Sequence, residues 1–154
     1  MLDTFSTPIN PYRPLSLFIQ RLTGITQNEV NGAPSFGSVS PKLVDFIGDA
    51  PLVGHNISFD LAFLARRGLR FSSPIFDTRN LAPILLPQGN YSLGSLTSVL
   101  GVAHLQPHRA LSDAQATHLV LVALIERALE MDPNLLIFYL YKLFFLYINL
   151  QILF

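Results

Sequence analysis

Apolar positions recur along most of this chain at the three- and four-residue spacing of helices that bury one side. "PYRPLSLFIQRLTGI" reads as a turn and then a short helix from about Pro14, stopped by Gly24. "TQNE" places Thr26 and Glu29 in capping-box positions for another helical turn. In "SPKLVDFIGDAP", Ser40 is the expected N-cap, Pro41 the first helical residue and Gly48 the stop, with Leu43, Val44 and Ile47 on one face. "PLVG" (51–54) is a brief buried strand that feeds a helix opening near Ile57. "FDTRNLAPILLP" and "YSLGSLTSVLGV" predict two further helices, capped by Asp77 and Ser92; Leu93, Leu96 and Leu100 share one side of the second, and Gly101 ends it. The longest helix lies in "HRALSDAQATHLVLVALIERALEMDP", with Ala110, Ala114, Thr117, Leu121 and Leu124 facing inward and Pro133 beyond it. A first extended segment is expected near residues 3–9, in "DTFSTPINP". Two strands, "TFSTPI" and "PLVG", are few for so many helices, so the α/β sheet is expected to be incomplete.

One position breaks the pattern. Ile57, Leu61 and Leu64 make an apolar stripe, and Asp60 falls on the same side of that helix. A carboxylate facing a core is costly unless a cation or hydrogen-bond donors meet it.

Composition narrows the setting. The 154 residues suffice for one domain with a real core; half of them are hydrophobic and 13% are charged. Ten basic residues balance ten acidic ones, so no overall positive field marks a nucleic-acid coat protein. With no cysteine, disulfides, thiolate catalysis and Cys-based zinc sites are excluded, which fits a cytoplasmic protein. "MLDTFSTPINPYRP" has no basic n-region followed by an apolar run, so it does not read as a signal peptide.

The last stretch differs. "LLIFYLYKLFFLYINLQILF" (135–154) carries one charge, Lys142, and no Ala, Gly or Pro. Its length approaches the ~20 residues that span a bilayer. It reads as a membrane anchor, a buried hydrophobic C-terminal helix, or a non-native extension. The shift from Ala, Gly, Pro and Arg to Phe, Leu, Ile, Tyr and Asn favours the extension. The domain is accordingly expected to span 1–132 and the hydrophobic tail 133–154, with membrane contact of the tail a lesser reading.

Asp60 invites a search for a second carboxylate serving the same cation. Two-metal nucleases hold ions ~4 Å apart with several carboxylates. Asp113, in the first turn of the longest helix, is the best second ligand for Mg²⁺ or Mn²⁺, which favour oxygen donors. His108, in the loop before that helix, can overhang whatever Asp113 binds and take a proton from water. Asp77 reads as a cap rather than a ligand, and His118 as a surface residue. His104 and His108 are four apart, but Pro107 between them argues against a helical zinc pair. A solvated face explains Arg66, Arg67 and Arg70 more simply than phosphate steering does.

"HNISFDLAFL" (55–64) resembles the second conserved motif of the DnaQ-like, DEDDh-type 3′–5′ exonucleases, and "HRALSDAQAT" (108–117) resembles their third. The resemblance runs from about Thr4 to Glu130. The wording around "LTGIT" and "DAPLVGHN" is closest to proofreading-type polymerase subunits and to the exonuclease domains fused to DinG-like helicases. The resemblance implies a ribonuclease-H-like α/β fold, with Asp60 and Asp113 as metal ligands and His108 as general base. It also places His55 and Asn56 at the nucleotide pocket, although Asn56 reads equally as an N-cap. The implied partners are a single-stranded DNA or RNA 3′ end and a DNA polymerase subunit or fused helicase.

The family's first motif, an Asp-x-Glu on the leading strand, is absent from these residues. Asp3-Thr4 begins like it, but Phe5 stands in the glutamate's place. The expectation is therefore an N-terminally truncated fold lacking its leading strands and two of four acidic ligands. Two readings follow. One is an impaired 3′–5′ exonuclease; the other is a catalytically inactive fragment that acts at most as a nucleic-acid- or protein-binding module.

Overall fold

A computed structural model describes residues 3–86, 88–138 and 141 of the chain. Its elements run α1 (Leu17–Thr23), α2 (Gln27–Asn31), α3 (Phe36–Ile47), β1 (Leu52–Gly54), α4 (Ile57–Arg66), β2 (Ile75–Asp77), α5 (Thr78–Leu85), α6 (Leu93–Leu100) and α7 (Ala110–Leu129).

Most helix ends are set by residues within a turn of them. The hydroxyl of Ser16 accepts from the Ile19 N–H at the start of α1, and Gly24 closes it in the left-handed conformation. Thr26 and Glu29 form the expected capping box at α2. Ser92 caps α6 and Gly101 ends it.

Helix α3 departs from expectation. It begins after Ser35, not Ser40, and Pro41 lies inside it. Proline there removes the N–H that would serve the Gly37 carbonyl. The Ser40 hydroxyl donates to that carbonyl at 3.3 Å, which supplies the donor proline lacks.

The sheet differs as well. Residues 3–9 form no strand; the second strand is β2, which the sequence pattern had merged into the cap of α5. Strands β1 and β2 pair in parallel, with Leu52 opposite Ile75 and Gly54 opposite Asp77, and α4 is the crossover between them. Among the described residues the sheet has two strands. The 3–9 segment instead packs by its side chains, with Phe5 against Phe46 at 5.6 Å between ring centroids.

The core lies among α5, α6 and α7. Ala82, Leu86, Leu96, Val120 and Leu124 are buried together, ringed by Leu81, Leu85, Tyr91, Leu93, Leu100 and Val102. The buried line of α7 is Ala116, Val120 and Leu124 with Thr117; Ala110 and Ala114, expected inside, are exposed and line a cavity instead. The sheet is bare by comparison, with Val53, Ile75 and Phe76 all exposed.

Of the apolar tail, residues 133–138 are helical, and apart from Tyr141 the rest lies outside the described residues. Among the described residues, no helix is long and apolar enough to cross a membrane.

Candidate active site

Strand β1 ends at Gly54, and its chain turns into α4 through His55 and Asn56. A Cβ on Gly54 would stand 2.6 Å from the Ile57 Cβ, so only glycine lets the helix leave the strand this closely. Asn56 adopts a left-handed φ of 61° at the N-cap position, yet its side chain makes no capping hydrogen bond. The cap comes from another strand. Asp77, at the end of β2, accepts from the Asn56 N–H at 2.9 Å through Oδ1 and from the Ile57 N–H at 3.1 Å through Oδ2. The same Oδ1 also accepts from the Arg79 N–H at 2.9 Å. One carboxylate therefore caps α4 and α5 together, which the parallel register of Gly54 with Asp77 makes possible.

Thr78, fully buried, completes the turn. Its hydroxyl donates to the Gly54 carbonyl at 3.2 Å, and the His55 Nδ1 lies 3.0 Å from the Thr78 Oγ1. Burial holds the His55 imidazole below the usual histidine pKa; Asp77 pulls the other way, and Arg79 adds to the lowering.

A cavity of about 810 Å³ opens beside this turn. His55, Asn56, Asp60, His108 and Asp113, all five residues singled out in the sequence, line it. So do Ile57, Leu61 and Leu64, which confirms that Asp60 shares their side of α4. The side does not face a sealed core, however: Asp60 is exposed because the cavity is open. Partial loss of hydration still raises the Asp60 carboxyl above its ordinary pKa, and the negative charge of Asp77 adds to the rise.

Asp113 stands in the first turn of α7 and is the hub of the opposite wall. Its Oδ1 accepts from His104 Nε2 at 2.7 Å and from the His108 backbone N–H at 3.1 Å. His108 itself has a left-handed φ of 67°, and its residue is exposed at the cavity.

With Pro107 between them, His104 and His108 do not form a helical pair. The partner of His104 is instead Asp113, nine residues on, and no periodic pattern carries a loop-to-helix contact of that kind. The double cap by Asp77 was equally hidden, since it depends on a strand pairing. His118 is exposed, as expected. Arg67 is more than a solvated charge: its guanidinium sits over the Phe36 and Phe63 rings, 5.8 and 5.4 Å from their centroids.

The donor set suits a hard divalent cation in kind but not in number. Two carboxylates line the cavity, and among the described residues no three His, Cys, Asp or Glu side chains are grouped to hold a metal ion.

The RNase_T family model, described as Exonuclease, matches residues 1–121. The PolC-type DNA polymerase III of Caldanaerobacter subterraneus subsp. tengcongensis is 37% identical over 135 residues, covering 84% of this chain and 10% of that protein. The PolC-type polymerase of Bacillus cereus is 36% identical over 136 residues, with the same coverage of each. The chain thus spans about a tenth of the length of these relatives. Among solved structures, exonuclease X in complex with 5′ overhanging duplex DNA superposes with a TM-score of 0.61 at 29% identity, over 77% of this chain and 70% of that one. A 3′-exonuclease that recognises the histone mRNA stem-loop shares the fold, with a TM-score of 0.69 at 22% identity, over 80% of this chain and 64% of its own. The chain belongs to the RNase_T exonuclease family, among the DnaQ-like 3′–5′ exonucleases.

Proposed function

We propose that this chain acts as a 3′–5′ exonuclease domain, hydrolysing the terminal phosphodiester of a single-stranded DNA or RNA 3′ end. The observation that carries this reading is the meeting of Asp60, Asp113 and His108, from separate stretches of sequence, around one cavity. His108 takes the proton of the attacking water, the general-base task that a positioned imidazole performs. His55 and Asn56, on the rigid turn after β1, hold the terminal nucleotide. The PolC-type relatives favour a DNA polymerase over a helicase as the partner.

Asp60 and Asp113 are two of the ligands that Mg²⁺ or Mn²⁺ requires, and the described residues do not complete the set. The Asp-x-Glu pair is not among these 154 residues. The outer edge of β1 could take a strand bearing it: the parallel ladder points the backbone N–H and C=O of Leu52 and Gly54 at β2 and those of Val53, which lines the cavity, at the opposite edge. The domain in this reading comprises residues 1–132, and the apolar tail from 133 lies outside it.

The shortage of ligands favours a second reading, a domain that holds a 3′ end without cleaving it. The deciding experiment is release of the terminal nucleotide from a 3′-labelled single strand with Mn²⁺, with Asp60→Asn as control. Metal-dependent release that vanishes in the variant supports the exonuclease. Binding of the strand by a folded chain without release supports the second reading.

A further inference from the structure

We propose that His104 is a positioning residue of this site, holding the Asp113 carboxylate and, through it, the loop that presents His108; the assignment of purpose rests on the exonuclease reading above. His104 Nε2 lies 2.7 Å from Asp113 Oδ1, and its side chain is 10% exposed against 35% for Asp113, so the contact is sheltered by the histidine rather than by the carboxylate. The second donor to the same Oδ1 is the His108 backbone N–H, at 3.1 Å. A single oxygen therefore ties both ends of the 104–108 loop.

His108 needs such a tie. Its φ of 67° is an uncommon conformation for a residue with a Cβ, and hydrogen bonds around it help to hold it. The loop has two further fasteners, the Gln106 N–H to Ser112 Oγ at 3.0 Å and the Arg109 N–H to the Gln106 carbonyl at 3.2 Å, but neither reaches the carboxylate. His104 is the side chain that fixes the rotamer of Asp113, and a free carboxylate would let the His108 N–H go. Both His104 and His108 line the cavity, so this coupling acts at the site itself.

The role asks of His104 only a hydrogen-bond donor at the Nε2 position. Glutamine places an amide NH₂ near that point, whereas asparagine falls short. In the isolated chain, His104→Ala should speed exchange of the His108 amide hydrogen about tenfold, the loss expected for one hydrogen bond to a carboxylate, with the melting temperature showing that the fold persists. His104→Gln should restore exchange to within about threefold of the parent, and His104→Asn should behave as alanine does. Where nucleotide release is measurable, kcat should follow the same order while KM changes little. Unchanged His108 exchange in the alanine variant, or a glutamine variant no better than asparagine, overturns the proposal. Should the alanine variant fail to fold, the glutamine–asparagine pair decides. The exchange measurement requires no cleavage, so it stands or falls separately from the exonuclease reading.

Discussion

Asp77 and Asn56 belong to different strand–helix junctions, yet the Asp77 carboxylate accepts the Asn56 backbone N–H at 2.9 Å and so fixes the turn from which α4 departs. The turn carries His55, and the helix carries Asp60 one turn later. A residue that reads locally as the N-cap of α5 is thereby the foundation of one wall of the cavity. Because two helix starts share one carboxylate, Asp77→Ala should cost about 2–4 kcal/mol of unfolding free energy, more than the ~1 kcal/mol of an ordinary cap. Urea denaturation of the variant checks this. A loss below ~1 kcal/mol would mean that water replaces the carboxylate freely.

Gly54 should be equally intolerant, for a steric reason. Its missing side chain is what lets Ile57 pack over the strand end, 2.6 Å from where a Cβ would sit. Gly54→Ala should destabilise by about 1–3 kcal/mol, the usual range for overpacking, read as a lowered melting temperature. A neutral substitution would show that α4 can slide outward at little cost.

His55 makes stability depend on pH in a definite direction. Burial lowers its folded pKa below the ordinary value of 6.5, so the unfolded chain binds a proton first as pH falls. The contribution of neutral His55 is whole above about 6.5 and is lost as pH drops from there through the lowered folded value. The chain should therefore become less stable on acidification through that window, and His55→Gln should flatten the slope. Denaturation midpoints of both proteins across the window test it, and identical slopes would place the titration elsewhere.

For catalysis, His108→Ala should reduce nucleotide release by about 10²–10⁴-fold, the range for loss of a general base, and leave binding of a 3′-ended strand nearly unchanged. Stopped turnover with intact binding is the expected pattern. A fall in binding to match the fall in rate would assign His108 to holding the strand instead.

Much of this protein follows from sequence alone because the interactions concerned are short in range. Ser16 with Gly24, Thr26 with Glu29, and Ser92 with Gly101 set helix limits through hydrogen bonds that close within a few residues. The motifs around Asp60 and Asp113 were legible for the same reason, since each is a contiguous run, and the apolar spacing of α4 correctly put Asp60 beside Ile57, Leu61 and Leu64. Tertiary structure decided whatever depends on a distant partner. Residues 3–9 have strand-like composition but meet no ladder, while the three residues of β2 become a strand because β1 lies alongside. Helix α7 buries Ala116, Val120 and Leu124 because α5 and α6 pack there, and leaves Ala110 and Ala114 to the cavity. The partners of Asp113 and Asp77 were settled in the same way. A carboxylate's nearest donors are set by which loop or strand end the fold brings to it, and local periodicity carries no record of that.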